Sequence, residues 1–365
     1  MKDRPQVQDF DWALLAIVAA ITGIGVLEIY SSTHASGMAG IHWKQLMWVG
    51  LGIVGMFVIS RIDYHTLLDQ APILYMIGVG ALLVVLAVGH SQFGARRWMV
   101  VGGMRFQVSE LMKLIIIIVL ARYFSEVRTD RLALTDMVKV AILTIVPVAL
   151  ILKQPDLGTA MVLIPVAIVG AFLAGIEWKH AAVGVVLIGL MVPIGWSMRH
   201  HLKPYQLQRI ETFLHPEEDQ RGAGYQILQS EIAVGSGGFW GKGFGKGSQN
   251  QLGFVPVRYS DFILAALAEE MGFIGVCVVL LLYLGLILRL VDNAQKAKDK
   301  AGMFVVMGVT AILGFHVLVN ASMVIGYVPV TGIPLPLMSY GGSATAFVFL
   351  ALGLVMNVRM RRFVN

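Results

Sequence analysis

The chain has 365 residues, of which 57% are hydrophobic and only 14% are charged, and its mean hydropathy is +0.76. Soluble globular domains carry about 25% charged residues, so these values exclude a soluble domain and indicate a membrane protein. The formal net charge of +6 comes without a basic stripe interleaved with aromatic residues, which excludes a nucleic-acid-binding protein. The single cysteine, Cys277, excludes an internal disulfide.

Apolar runs of roughly 17–25 residues, the length needed to cross about 30 Å of hydrocarbon, recur along the chain. They predict ten membrane-spanning helices over residues 12–32, 44–60, 72–89, 107–122, 138–152, 157–176, 181–198, 262–289, 303–325 and 335–357. The fourth and fifth runs are marginal in length. The sequence therefore predicts an all-α, polytopic membrane protein that forms a single membrane domain over 1–365.

The distribution of lysine and arginine sets the predicted orientation, because short cytoplasmic loops are enriched in these residues. With a cytoplasmic N-terminus, the inner segments hold 15 basic residues and the short outer loops hold five. Both termini are therefore predicted to be cytoplasmic. The long loop 199–261, between the seventh and eighth spans, then lies on the extracytoplasmic side.

The unusual segments of the chain share this outer side. They are residues 94–110, 153–160, 199–261 and 326–346. Loops as long as 199–261 are usually functional or disordered. The aromatic and branched residues of this loop favour a folded segment with one or two amphipathic helices on the membrane surface. The candidate functional groups are thus expected outside.

Two outer segments carry backbone signals of a binding site. The glycines of "GSGGFWGKGFGKGSQNQLG" allow close approach to a ligand, with Lys242 available for phosphate, although a flexible solvated loop has the same composition. The prolines and glycines of 326–346 interrupt a span, and a broken helix survives in lipid only where protein or water satisfies its backbone. They predict a cavity near Pro334, Pro336 and Gly341, with an ordinary outer turn as the alternative.

Three charged residues stand near the outer ends of predicted spans. Glu110 and Lys113 are three residues apart and share a helix face. They predict an ion pair that either marks a functional path or is purely structural. Asp156 follows a proline in a very short turn, where its carboxylate can cap the sixth helix. A cap and a place in a site are compatible.

The stretch "SDFILAALAEEMG" has three acidic residues at the start of the eighth span. Asp261 is expected at the outer boundary, and a helix-capping role is its simplest interpretation. At a rise of 1.5 Å per residue, Glu269 and Glu270 are expected about 12–14 Å deeper. That separation excludes a close carboxylate pair of the kind that retaining glycosidases use.

The histidines show no pair with the spacing of a metal site on a helix, so a protein-built transition-metal site is not expected. Mg²⁺ or another divalent cation that is held by substrate phosphates needs only one or two protein carboxylates. The expectation is therefore no built-in cofactor, with a divalent cation accompanying a substrate diphosphate.

Several segments together resemble the SEDS family (shape, elongation, division and sporulation). They are "GARRWMVVGGMRFQVSELMKL", "QPDLGTA", "YQLQRI", "GAGYQILQSEIAVGSGGFWGKGFGKGSQNQLGFVPVRYSDFILAALAEEMG" and "TGIPLPLMSYGGSA". The resemblance implies a ten-helix peptidoglycan glycosyltransferase of the bacterial cytoplasmic membrane that polymerises lipid II on its outer face. It implies a class B penicillin-binding protein and other elongation-machinery membrane proteins as partners. The short tails and the last segment are similar to the elongation branch of the family.

The resemblance also implies roles for individual residues. It makes Asp261 the essential carboxylate and places Glu110, Lys113 and Asp156 in family motifs. Ser343, in "SYGGSA", is a further candidate for substrate binding.

Two positions depart from the family pattern. Val108 replaces a usual proline, and Val257 stands where many members have glutamate. A role of that glutamate in binding substrate or metal would be absent or relocated here.

The chemistry of such a reaction fits these residue types. Joining a sugar hydroxyl to an anomeric carbon requires a base for the hydroxyl and positive charge for the departing diphosphate. Asp261 is expected to be the base of a single inverting displacement. The remaining candidates, cations for the diphosphate and supporting carboxylates, are Arg209, Lys242, Arg258, Glu269 and Glu270.

Three alternatives fit the same sequence, namely a transporter that flips lipid II, a division-type polymerase and an inert scaffold for the penicillin-binding protein. Charges inside spans and a broken helix are also typical of transporters. The unusual groups cluster on one side, whereas a flippase needs a site on both. That clustering favours the enzyme.

Overall fold

The computed structural model describes residues 10–34, 38, 40–92, 95–101, 104–127, 131–180, 182, 207, 211–219 and 222–362. Helices α1 to α7 are Trp12–His34, Ile41–Arg61, Tyr64–Asp69, Ala71–Val88, Val108–Glu126, Leu134–Lys153 and Leu157–Leu173. Helices α8 to α12 are Ala223–Gly237, Ser248–Gln251, Ile263–Gln295, Lys300–Val324 and Gly342–Arg361. A 3-10 turn covers Pro216–Glu218.

The predicted all-α membrane architecture is confirmed. Seven of the described helices, α1, α2, α4, α6, α10, α11 and α12, are long and apolar enough to cross a membrane. Helices α5 and α7 fall on the predicted fourth and sixth spans. The predicted seventh span, 181–198, lies almost entirely outside the described residues. The tenth begins later than predicted, because residues 335–341 are not helical and α12 starts at Gly342.

Helix α12 is the most enclosed of the candidate spans and packs closely against α2. Its side chains Phe347, Leu352 and Val355 are buried. Gly353 permits the close approach, because a Cβ at that position would lie 2.6 Å from the Met56 carbonyl oxygen. Exposed apolar side chains cover the outer faces of α1, α2 and α4, as contact with hydrocarbon requires.

A buried polar network joins helix ends at one end of the bundle. Asp11, before α1, pairs with Arg289 near the end of α10 at 2.9 Å and with Arg359 near the end of α12 at 3.0 Å. Tyr64 of α3 donates a 2.7 Å hydrogen bond to Asp299, which caps α11. Burial alone would raise the pKa of Asp11, but hydrogen bonds from Arg289 and neighbouring donors outweigh it and lower that pKa. This end carries the segments that were predicted to be cytoplasmic.

An antiparallel three-stranded sheet lies between α4 and α5, where the sequence indicated only an outer segment. Its strands are β1 His90–Gln92, β2 Ala95–Val101 and β3 Met104–Gln107. Trp98 of β2 pairs with Gln107 of β3, and α5 begins directly after Gln107. The sheet therefore holds Arg97, Trp98 and Gln107 close to the start of α5.

Helix α10 is broken, although the sequence predicted one continuous span. Gly272 has φ +66° and ψ −165°, which is not a helical conformation. Residues 263–271 and 273–295 are therefore two helical segments. The second alone has a length of about 34 Å at 1.5 Å per residue, enough to cross a membrane.

The break in α10 leaves backbone N–H and C=O groups without partners in the helix. The glycine-rich loop, residues 238–247, forms hydrogen bonds with these groups. The Lys242 amide donates to the Glu269 carbonyl, and the Phe273 amide donates to the Gly238 carbonyl, both at 2.9 Å. Backbone groups without a partner are expensive in an apolar environment. The loop thus stabilises the broken helix.

The expected depth of Glu269 and Glu270 is wrong. Ser31 Oγ, in the last turn of α1, lies 2.7 Å from both carboxylate oxygens of Glu270. That turn is at the end of the bundle opposite the Asp11 network. The separation of 12–14 Å along the helix is unaffected, because both glutamates precede the break at Gly272. The break changes the direction of segment 263–271 relative to the span 273–295, so that separation is not a depth in the membrane.

We expect Gly272→Ala to destabilise the protein by about 2–5 kcal/mol, because alanine is strained at this φ and its Cβ would lie 2.7 Å from the Phe239 carbonyl oxygen. Thermal unfolding of the purified protein in detergent measures the effect. Gly23→Ala is the matched control, since nothing lies within 4 Å of that helical position and alanine favours a helix over glycine by about 1 kcal/mol, so this variant should be no less stable than the wild type. Equal unfolding temperatures for the two variants would contradict the role of the break.

Candidate active site

A cavity of about 190 Å³ lies at the end of the bundle opposite the Asp11 network. Its walls are formed by strands β2 and β3, by helices α5, α7, α11 and α12, and by the turn before α10. Pro334 and Gly341 line the cavity where the sequence predicted one, and Pro336 lines a smaller pocket that adjoins it at Lys113 and His316. Its polar lining residues include Arg97, Gln107, Glu110, Lys113, Asp156, Ser260, Asp261, His316, Tyr340 and Ser343.

Asp261 has no ion pair within the described part of the chain. Its Oδ1 accepts a 2.8 Å hydrogen bond from Ser260 Oγ. The carboxylate does not cap α10, because the N-cap residue is Phe262 and no side chain bonds to the first turn. Burial raises the pKa of Asp261 above its ordinary value, and the hydrogen bond from Ser260 opposes that shift. A partly buried carboxylate without a counter-ion is well suited to accept a proton.

The backbone around Asp261 is held by α11 and by the segment before α12. Asn320, which is fully buried, donates from Nδ2 to the carbonyl oxygens of Asp261 and Ile333 at 2.8 Å each. Ser339 Oγ donates to the Ser260 carbonyl oxygen at 2.6 Å. These bonds fix the position of the carboxylate through the main chain.

Lys113 and Glu110 form the predicted ion pair, with Nζ and Oε2 2.8 Å apart and both side chains buried. Lys113 Nζ also lies 3.3 Å from His316 Nε2 and 4.3 Å from the centre of the Phe347 ring. His316 Nδ1 is 3.0 Å from the Pro334 carbonyl oxygen. That carbonyl requires the proton on Nδ1, so Nε2 accepts from the ammonium group. His316 was not identified from the sequence, where its only signal is an isolated histidine in an apolar span.

Asp156 caps α7 as predicted and also lines the cavity. It accepts hydrogen bonds from the Thr159 amide at 3.3 Å, from Thr159 Oγ1 at 2.9 Å and from Gln107 Nε2 at 2.6 Å. Arg97 lies 3.8 Å from the carboxylate and donates to the Pro155 carbonyl oxygen. From the sequence, Arg97 is one of the five basic residues of the short outer loops, and no role was predicted for it because the sheet that positions it was not predicted.

Of the cations expected to hold a diphosphate, the two that the structure describes, Lys242 and Arg258, do not line this cavity. Arg209 lies outside the described residues. Lys242 pairs with Glu269 at 2.7 Å, and the buried Arg258 donates to a carbonyl of α1. Neither carboxylate of the Glu269–Glu270 pair lines the cavity. The cations that line the cavity are instead Arg97 of β2 and Lys113 of α5.

Ser343, at the start of α12, does line the cavity, and its Oγ accepts a 3.1 Å hydrogen bond from the Gln107 amide. Of the two unusual positions, Val108 is the buried first residue of α5. Val257 is exposed at φ +53°. The side chain at position 257 therefore points away from the protein interior.

The bundle of membrane-length helices with a charged cavity at one end defines a multi-pass membrane protein. Residues 11–363 match the FtsW/RodA/SpoVE family, described as cell cycle protein. The chain belongs to this family.

Relatives along the whole chain carry related names. The chain is 39% identical to the peptidoglycan glycosyltransferase MrdB of Escherichia coli K12, over 99% of this chain and 98% of that protein. It is 33% identical to the peptidoglycan glycosyltransferase RodA of Treponema pallidum, over 98% and 99%. It is also 36% identical to the stage V sporulation protein E of Bacillus subtilis, over 95% and 96%.

Two solved structures share the fold. One belongs to a study of the structural coordination of polymerization and crosslinking by a peptidoglycan synthase complex, with a TM-score of 0.84, 32% identity and coverage of 98% and 99%. The other is the crystal structure of the rod shape determining protein RodA of Thermus thermophilus, with a TM-score of 0.73, 31% identity and coverage of 98% of each chain.

We expect Lys113→Met to destabilise the protein by about 3–5 kcal/mol, since it leaves the Glu110 carboxylate buried without a counter-ion. The double variant Glu110→Gln, Lys113→Met should recover much of that loss, because neither charge remains. Glu126→Gln, which breaks a pair with Arg122 whose acid is 64% exposed, serves as the control and should cost under about 1 kcal/mol. Chemical denaturation in detergent measures all three variants, and a double variant no more stable than Lys113→Met would refute the pairing argument.

Proposed function

We propose that the protein is a peptidoglycan glycosyltransferase that polymerises lipid II into glycan strands for cell elongation. The observation that carries the proposal is the Asp261 carboxylate, unpaired among the described residues, in one cavity with the cations Arg97 and Lys113. A base and positive charge are what glycosyl transfer from a lipid diphosphate needs. The names of the MrdB and RodA relatives support the activity and the elongation role.

In the proposed reaction, the Asp261 carboxylate accepts the proton of the acceptor sugar hydroxyl as its oxygen attacks the anomeric carbon of the donor. The bond between that carbon and the diphosphate oxygen breaks, and undecaprenyl diphosphate leaves with the bonding electrons. One displacement converts the α-linked donor into a β-1,4-linked product. It needs one base and no carboxylate nucleophile. A positioned base contributes about 10²–10⁴ in rate.

Arg97 and Lys113 are proposed to stabilise the departing diphosphate. Of the three Lys113 donors, one faces Glu110 and one faces His316, which leaves one N–H for an anion. The guanidinium group of Arg97 donates through Nε and Nη2 to the Gln154 and Pro155 carbonyl oxygens, so Nη1 is the nitrogen proposed to contact a phosphate oxygen. The described residues hold no group of three or more His, Cys, Asp or Glu side chains placed to bind a metal. A divalent cation is therefore proposed to arrive on the substrate diphosphate.

The cavity is proposed to face the extracytoplasmic side of the bacterial cytoplasmic membrane. The opposite end carries the positively charged inner segments, and such segments remain in the cytoplasm. A class B penicillin-binding protein is proposed as the partner that crosslinks the strands. The likeness to a chain of a synthase complex that coordinates polymerization and crosslinking supports this partner.

We expect Asp261→Asn to abolish glycan synthesis from purified lipid II in detergent, with a loss of at least about 10²-fold. Its unfolding temperature should stay close to that of the wild type, because the carboxylate neither caps α10 nor forms an ion pair with a described residue. Gel analysis of glycan strands measures the product. Polymerisation by Asp261→Asn would refute the base, whereas lipid II flipping in liposomes without polymer from the wild type would favour the transporter.

The pH dependence of polymerisation offers a second test of the base. The rate should fall as the pH drops through the raised pKa of Asp261, because only the carboxylate form accepts a proton. Ser260→Ala removes a hydrogen bond that lowers this pKa, so the acidic limb should move to higher pH. Single-turnover rates across the pH range measure the limb. An unchanged limb in Ser260→Ala would show that another group controls the rate.

A further inference from the structure

Glu28 of α1 is a buried carboxylate that the active site does not use. Its side chain has no exposed surface, and neither Oε1 nor Oε2 has a hydrogen-bond partner among the described residues. Its electrostatic neighbours are Glu270 and Glu269, which carry the same charge. An ionised carboxylate taken out of water is costly unless a cation or donors compensate it.

Other acceptor oxygens without a partner lie around the same glutamates. Ser32, one turn beyond Glu28 on α1, is 2% exposed, and its Oγ has no partner in the described residues. Asn250 of α9 is 1% exposed and donates from Nδ2 to Glu270 Oε1 at 2.8 Å, but its Oδ1 has no described partner. Gln249 Oε1 also has no hydrogen-bond partner among the described residues. Unsatisfied buried atoms are rare in proteins, and five of the thirteen such side-chain atoms in the described residues are these oxygens of Glu28, Ser32, Gln249 and Asn250.

With Glu28 ionised, the carboxylates of this cluster outnumber the described cations that pair with them by two, since the buried Arg258 donates to the Ser32 carbonyl oxygen and forms no ion pair with them. Glu28, Glu269 and Glu270 are three carboxylates, and Lys242 is the single cation that pairs with any of them. Glu270 is satisfied by Ser31 Oγ, by the Gly245 amide and by Asn250, all neutral donors.

We propose that a hard divalent cation of the calcium class binds between α1 and α9, held by the carboxylate of Glu28, the hydroxyl of Ser32 and the amide oxygen of Asn250. Such cations take oxygen ligands of mixed type, including amide and hydroxyl oxygens and water, at irregular geometry. The amide and hydroxyl oxygens are needed, because no three acidic, histidine or cysteine side chains of the described residues converge to bind a metal. A charge of +2 neutralises the excess.

The site differs in place and role from the catalytic cavity. None of its ligands lines that cavity. Gln251 of α9 and Arg258 already reach the carbonyl oxygens of Ser31 and Ser32 at 3.0 and 2.9 Å, so a cation at this point adds a further link between α1 and the segment after the glycine-rich loop. The cation therefore fastens the outer end of α1 to that segment.

The test is a calcium titration of the full-length protein in detergent after treatment with EDTA. The wild type should show a saturable rise in unfolding temperature, on the order of 5 °C at a hundredfold excess over Kd. Equilibrium dialysis with radioactive calcium should give one ion per chain. Glu28→Gln should lose both effects, and in EDTA it should unfold at or above the wild-type temperature, because the change removes a carboxyl group that the described residues leave without a partner.

Three further variants separate binding from general damage. Ser32→Ala should weaken calcium binding several-fold without changing the unfolding temperature in EDTA. Asp261→Asn and the exposed Glu126→Gln should keep the full response, which excludes a cation in the catalytic cavity or on the surface. The proposal is overturned if calcium causes no saturable shift, if Glu28→Gln responds like the wild type, or if sodium at equal ionic strength gives the same shift.

Discussion

The hydrogen bonds between the glycine-rich loop and the break at Gly272 are the constraint on which the rest of the site depends. The loop amides bind the last carbonyls of segment 263–271, and the buried Glu269 carboxylate accepts from Lys242 Nζ and from the Gln249 and Asn250 amides. One end of this segment is thereby fixed. The Asp261 turn at its other end is held by Asn320. Hydrogen bonds at both ends of this short helical segment fix the position of the Asp261 carboxylate. Among the described residues, only its Oδ1 accepts a hydrogen bond.

The charged groups of the described chain divide into two kinds. Asp11, Glu110 and Glu269 are buried, and each has a cation within 3.0 Å. In such pairs, the attraction between the charges compensates the free energy that burial costs, and the pair holds helices together. A carboxylate paired in this way is less available to accept a proton from a substrate. Asp261 has only a hydroxyl partner, and Glu28 has no hydrogen-bond partner among the described residues. Glu270 also lacks a counter-ion but is satisfied by neutral donors, whereas Asp261 and Glu28 are the acids that a proton and a metal ion, respectively, would complete.

Hydropathy and charge were sufficient to predict the helices, because a membrane span is a local property of about 20 residues. The local motifs also gave the Glu110–Lys113 pair and the Asp156 cap. The break in α10 was not predictable, since a glycine in "EEMGFIG" is compatible with a straight helix until the loop residues arrive from about 30 positions away. The error in the depth of Glu269 followed from that. Arg97 and His316 were not predicted as site residues for the same reason. The three-stranded sheet positions Arg97, and His316 contacts Lys113, which is distant in sequence.

The closed end of the bundle bears on the choice between a polymerase and a flippase. A transporter needs a path to both sides, and its helices must separate at each end in turn. In the described residues, the end opposite the cavity is joined by the fully buried Asp11, which links α1, α10 and α12. Asn357 of α12 adds hydrogen bonds to the carbonyls of Ile59 and Ser60 at the end of α2. Opening a passage there would strip a buried carboxylate of both guanidinium partners at once, a cost of several kcal/mol. A reaction confined to one end requires no such opening, which is why the geometry favours chemistry in the cavity over passage through it.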